Sequence, residues 1–214
     1  WTYRYEEPLT PNMYEGGPSA TPTIHDKKVY TVSKSGKMLC LDLETGALIW
    51  RRQTDCKKPE WGFAGSPVIL EEKAIYNIGS CGLALDKETG QILWQSGREE
   101  SGYATAVPFT MDGKTQLALF SKEHLYSVDP ADGRILWSYP WKTNWDVNAS
   151  DPILKDDEAL ITSGYNHGAT LLKISGSEVR SVWENKNLRS QLSGPVLING
   201  YIYGIDENQL ACLD

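Results

Sequence analysis

The stretch LDLETGALIW at residues 41–50 is written again as LDKETGQILW at 85–94 and as VDPADGRILW at 128–137. The acids that anchor the copies, Asp42, Asp86 and Asp129, lie 44 and 43 residues apart. A degraded copy runs from Lys173-Ile174-Ser175-Gly176 to Trp183, and a further one opens as Ala211-Cys212-Leu213-Asp214. Trp1, followed by Thr2-Tyr3-Arg4-Tyr5, reads as the tryptophan that closes a repeat. A fixed period of this length means one supersecondary unit per repeat, stacked on its neighbours to bury a shared core.

Inside one unit the apolar runs are short. Val68-Ile69, Lys73–Ile78, Gly82–Asp86 and Gln91–Trp94 are rich in β-branched and aromatic residues and are separated by turn chemistry such as Glu88-Thr89-Gly90. No helical periodicity is sustained. Four short antiparallel strands every 40-odd residues predict an all-β chain of propeller blades. About five blades are expected, at 15–51, 62–95, 102–138, 147–184 and 191–214, in a single propeller domain or fragment. Two closures stay open. The chain is an arc of a seven- or eight-bladed wheel, or residues 1–5 pair with 209–213 and close a five-bladed ring, which would remove the open sheet edges.

The repeated residues have physical roles. An Asp side chain ties a tight turn by accepting backbone N–H groups. Gly46, Gly90 and Gly133 supply positive φ. Trp50, Trp94, Trp137 and Trp183 are the largest apolar side chains available to glue one sheet to the next.

These residues resemble the tryptophan-docking motif of the quinoprotein alcohol dehydrogenase family, Ala-x-Asp-x-x-Thr-Gly-x-x-x-Trp. Ala84, Asp86, Thr89, Gly90 and Trp94 match throughout. Asp42, Thr45, Gly46 and Trp50 match with Cys40 in the small position, and Asp129, Gly133 and Trp137 match with Ser127 small and Asp132 in place of Thr. The same repeat occurs in the outer-membrane-assembly propeller lipoprotein. The resemblance implies the propeller fold and a periplasmic or exported setting. For a dehydrogenase it implies pyrroloquinoline quinone (PQQ) on the channel mouth, calcium held by carboxylate and amide groups, and an Asp base. Trp61 or Trp145 would then stack on the quinone, Asp146 would be the base and Asn148 a calcium ligand. The vicinal cysteine pair of that family is absent.

Composition narrows the classes. A net charge of -7 without a basic stripe argues against nucleic acid. No apolar run is long enough to span a bilayer. No histidine pair has metal-ligand spacing, and no CxxC occurs. Cys40 and Cys212 fall in the small packing position, whereas Cys56 and Cys81 fall in loops of one repeat, where a disulfide is one alternative. Nothing in the sequence fixes an oligomeric state.

Strand polarity places the loops that enter each inner strand on one face with the loops between the second and third strands. Those loops carry Trp61, Phe63, Tyr103, Trp145, Asn148, His167, Arg189 and Gln191. Aromatic planes with a few polar groups suit a flat ring, a sugar or a peptide. The expected function is a non-catalytic propeller scaffold presenting loops to a protein, peptide or glycan, without a cofactor. The alternative is part of a PQQ- and calcium-dependent alcohol dehydrogenase, with Asp146 as its candidate catalytic residue.

Overall fold

Each repeat folds into an antiparallel meander in which sequence order is spatial order. A computed structural model describes residues 1–8 and 17–214; residues 15 and 16 of the expected first blade lie outside them. The first blade comprises β1 (Thr23–His25), β2 (Lys28–Val32), β3 (Lys37–Asp42) and β4 (Leu48–Gln53). The second comprises β5 (Val68–Leu70), β6 (Lys73–Tyr76), β7 (Leu83–Asp86) and β8 (Ile92–Gln95). The third comprises β9 (Val107–Met111), β10 (Lys114–Phe120), β11 (His124–Val128) and β12 (Ile135–Pro140). The fourth comprises β13 (Ile153–Lys155), β14 (Glu158–Ser163), β15 (Gly168–Ser175) and β16 (Glu178–Asn185). The last sheet has three strands among the described residues, β17 (Val196–Ile198), β18 (Tyr201–Asp206) and β19 (Gln209–Leu213).

The second and third strands of each four-stranded blade are the most buried, as expected of strands covered on both faces. The core is accordingly divided. One cluster joins Tyr30, Met38 and Trp50 to Tyr76 and Leu85; another joins Phe120 and Trp137 to Ile161 and Ile174.

The repeated turn explains how blades meet. Asp42 Oδ1 accepts hydrogen bonds from the N–H groups of Glu44 and Thr45 and from Thr45 Oγ1, at 3.1, 2.7 and 2.7 Å. Asp86 repeats the set with Glu88 and Thr89. A bulge in each outer hairpin sets Trp50, Trp94, Trp137 and Trp183 opposite Cys40, Ala84, Ser127 and Leu171. Trp50 then donates its indole N–H to Lys87 O at 2.8 Å, and Trp94 donates to Pro130 O at 3.0 Å. In both cases the acceptor is the residue after the next blade's Asp. The rings lie flat on glycine: a Cβ on Gly90 would sit 2.7 Å from Trp50, and one on Gly133 would sit 2.5 Å from Trp94. Arg52 and Ser96, two residues past each Trp, donate to the carbonyls of those same glycines.

Trp1 obeys the same rule, donating to Leu43 O at 2.8 Å with its ring against Gly46. Residues 1–8 carry no strand. They run along the first blade, where the Glu7 carboxylate accepts from Ser35 N–H and Oγ and Lys37 Nζ lies 5.1 Å from the Tyr5 ring centre. The five-bladed ring is therefore not formed. The first segment is anchored on the first blade's turn, no strand from it pairs with β19, and the sheets form an open arc.

The cysteines resolve the alternative left open above. Cys56 and Cys81 are free, buried thiols, so the considered disulfide is absent. Cys40 is buried as a packing residue, and burial pushes its thiol up to about 11. Cys212, on β19, is exposed.

Candidate functional site

A girdle of equivalent positions surrounds the arc's inner rim. The residue two before each inner strand is Thr21, Ser66, Thr105, Asp151 or Gly194. Three of these backbone N–H groups reach the next blade's side chain: Thr21 to Ser66 Oγ at 3.1 Å, Ser66 to Thr105 Oγ1 at 3.2 Å, and Thr105 to Asp151 Oδ1 at 2.7 Å. The series stops at Gly194, which has no side chain to accept from Asp151. Four of the five positions precede proline, which biases the backbone there toward the extended form.

Above this girdle opens a cavity of about 550 Å³. Trp61, Tyr103 and Tyr165 supply its aromatic surface, and Thr105, Asp151 and Gln191 are among its polar residues. Residues from the first blade (Lys34), the loop before it (Gly17–Ser19) and the loop entering the last blade (Leu192, Gly194) bound the same space, so the arc's two ends share one mouth. Tyr103 Oη accepts from the backbone N–H of Trp61 at 3.5 Å, tying the Tyr103 ring to the Trp61 main chain. Burial of Tyr103 raises its phenol above the ordinary value.

Trp61, Tyr103 and Gln191 thus line one cavity, and the other expected site residues do not. Phe63 is buried, its ring packed against Gly36. Trp145 is exposed on the rim, 6.5 Å from the Tyr165 ring. His167 sits edge-on to Trp141 at 4.6 Å, and burial lowers its pKa. Arg189 is clamped by Asp206 through two hydrogen bonds of 2.7 Å.

The residues named for catalysis are engaged elsewhere. Asn148 is fully buried; its amide donates to the carbonyls of Ser121, Lys122 and Trp141, and its oxygen accepts from Ser163 Oγ. It splices the third and fourth blades, with its side-chain oxygen buried and engaged by Ser163. Asp146 pairs with Lys122 at 3.2 Å, beside Glu100 on the same ammonium at 2.7 Å. Glu100 and then Asp146 hold that ammonium well above the ordinary lysine range. Among the described residues no three His, Cys, Asp or Glu side chains converge as metal donors. The residues present therefore do not fit a calcium-quinone centre built on Asp146 and Asn148.

Sequence reasoning missed Asp151. It lies inside the segment NWDVNASDP (144–152), where the aromatic and the amide draw attention first. Aligning the position two before each inner strand would have found it as the single acid of the girdle.

Among the described residues no helix is long and apolar enough to cross a membrane. The outer membrane protein assembly factor BamB of Moranella endobia is 21% identical over 211 residues, covering 90% of this chain and 54% of that protein. The quinohemoprotein alcohol dehydrogenase ADH IIB of Pseudomonas putida is 29% identical over 169 residues, covering 75% of this chain and 22% of the enzyme. The crystal structure of BamB from Moraxella catarrhalis superposes with a TM-score of 0.70 at 17% identity, over 91% of this chain and 60% of that one; that likeness shows the β-propeller fold. The chain thus spans between about a fifth and just over half of the curated relatives it matches. Its docking turns, its PQQ-like repeats and a family model matched across residues 1–214 agree, and the chain belongs to the family described as outer membrane protein assembly factor BamB.

Proposed function

We propose that this chain is part of a non-catalytic propeller scaffold that uses the channel-mouth cavity to engage a protein or peptide in an exported, periplasmic setting. The observation that carries the reading is the division of labour among the loop residues. Trp61, Tyr103 and Tyr165 line an open cavity, while Asp146, Asn148 and Arg189 are consumed in joining blades and loops. Aromatic planes over a rigid rim bind at low entropic cost, because little has to be ordered on association. The family's assembly-factor relatives support a protein partner and the exported setting. The fold alone does not decide between the two readings, because the same repeats occur in alcohol dehydrogenases.

The test is photo-crosslinking in the cell that makes the protein. A crosslinker at Trp61 or Tyr103 should trap a discrete protein adduct, and one at Glu44 or Glu88, on the docking turns, should not. Adducts equally frequent from both faces, or glycan adducts alone, would overturn the protein-partner reading. Dye-coupled alcohol oxidation by the purified protein supplied with PQQ and calcium would overturn the non-catalytic one.

A further inference from the structure

Most carboxylates of the loops and turns meet a cation. Asp206 has Arg189, Asp157 has Lys173, and Asp146 and Glu100 share Lys122. Asp151 is different. Its carboxylate accepts the Thr105 N–H at 2.7 Å, and among the described residues no Lys, Arg or His pairs with it. It is partly buried, it lines the cavity, and it shares that cavity with Trp61, Tyr103 and Tyr165. Burial holds its carboxyl above the ordinary carboxylate range, against the lowering effect of the Thr105 N–H. A buried charge lacking a counter-charge is unfavourable, and a cation from outside relieves it.

We infer that the channel mouth is an arginine-accepting subsite: Asp151 receives the guanidinium of an arginine in a partner's extended segment, and the aromatic side chains of Trp61, Tyr103 and Tyr165 flank it. The inference rests on the proposed protein-binding role and names the chemistry of the partner. Three features favour arginine. Its guanidinium donates in parallel to a carboxylate, it stacks on aromatic faces, and its weak hydration lowers the cost of entering a half-enclosed cavity. A volume of about 550 Å³ holds such a side chain with its flanking backbone. The net charge of -7 adds a field of the right sign for a basic segment. The other charged side chain lining the cavity, Lys34, comes from the first blade, whereas Asp151 comes from the loop entering the fourth.

The experiment titrates the purified chain with two blocked tripeptides, acetyl-Gly-Arg-Gly-amide and its citrulline counterpart, and follows indole and amide NMR signals. Citrulline keeps the shape and removes the charge. The arginine peptide should bind about tenfold more tightly, perturb Trp61, and weaken as salt is raised. Asp151→Asn, which keeps an oxygen for the Thr105 N–H, should abolish the difference between the peptides. Lys34→Ala, which removes a positive charge from the cavity lining, should tighten the arginine peptide. Equal binding of the two peptides, no binding of either at millimolar concentration, or an undiminished preference in Asp151→Asn would overturn the inference. So would weakening by Lys34→Ala together with strengthening by Asp151→Asn, which would make the site one for anions. These failures are separable from failure of the parent reading. Protein adducts trapped at Trp61 in the presence of an inert arginine peptide would leave the scaffold role standing without this subsite.

Discussion

The junction between the second and third blades and the junction between the third and fourth use the same residue to different effect. At the first, Trp94 finds both halves of a dock, a carbonyl after the Asp of the next turn and a glycine on which its ring can lie. At the second, Trp137 is just as buried, packed edge-on to Phe109 in a cluster with Ile174, but among the described residues its indole N–H has no acceptor. The cause lies in the fourth blade's hairpin. Lys173 stands where Asp stands in the others, and Trp183 follows it by ten residues where Trp50, Trp94 and Trp137 follow their Asp by eight. The two extra residues continue the β15–β16 ladder to Ser175↔Glu178 and carry Gly176 clear of any neighbour within 4 Å. The docking motif is therefore two separable devices. Apolar burial survives without the turn; the hydrogen bond and the glycine platform do not.

The glycines offer the sharpest way to break that comparison. Gly90→Ala meets two penalties: strain at φ 67 and a Cβ 2.7 Å from the Trp50 ring. Strain costs about 1 kcal/mol and overpacking about 2 more. Gly176→Ala, at φ 61 with open space around it, meets only the strain, about 1 kcal/mol. Denaturant unfolding of the two variants should therefore separate by about 2 kcal/mol. Equal losses would mean that the tryptophan ring yields freely and the platform is not a platform.

The indole N–H sharpens the comparison at smaller scale. Trp50→Phe removes a donor from Lys87 O and should cost about 1–2 kcal/mol beyond the lost ring area. Trp137→Phe removes a donor that has no partner, so the lost area is offset by relief of an unsatisfied buried group and the change should be close to neutral. The measurement is the difference between the two variants' unfolding free energies, since each alone mixes ring size with hydrogen bonding. A Trp137→Phe loss as large as that of Trp50→Phe would show that the third indole is satisfied in solution.

The degree to which all this was legible follows from where the information sits. Asp, Thr, Gly and Trp at fixed spacing declare a turn and a dock locally, so blade type and much of the blade order could be read directly. Trp183 was legible as packing, yet its register opposite Leu171 was not, because the hairpin's two added residues hide it from spacing alone. Which loops share a face follows from strand polarity and needed no coordinates. Which side chains of those loops turn inward did not follow. Phe63 and Asn148 come from the same loops as Trp61 and Trp145, and their burial depends on contacts with Gly36 and with Ser163, set by neighbouring strands and loops. Ring closure was not legible in the residues, since the same Trp1 dock serves a closed ring and an arc; the arc was the expectation that the family resemblance implied, and the open set of sheets agrees with it.

The two kinds of turn should also part company with pH. The hydrogen bonds from Thr89 Oγ1 and N–H hold the Asp86 carboxyl below its ordinary 3.8, as those from Thr45 do for Asp42. A depressed folded-state pKa means stability present above 3.8 and lost as pH falls through the folded value. In the fourth blade Lys173 replaces the acid, and Asp157 holds its ammonium above the ordinary 10.5. A raised lysine contributes fully below 10.5, and that contribution fades as pH rises through the folded value. Asp157, depressed by Lys173 in turn, adds an acid-side loss that the same pair shares. Asp86→Asn should therefore flatten the fall in Tm below about pH 4 and leave the alkaline limb unchanged, while Lys173→Met should flatten the limb above pH 10.5 as well as part of the acid one. These sites are open to water, so the shifts in Tm will be the smallest of the three contrasts. An Asp86→Asn profile that overlays the wild type in acid would mean that the turn keeps its shape without the carboxylate charge, and that the repeated Asp is there for its geometry alone.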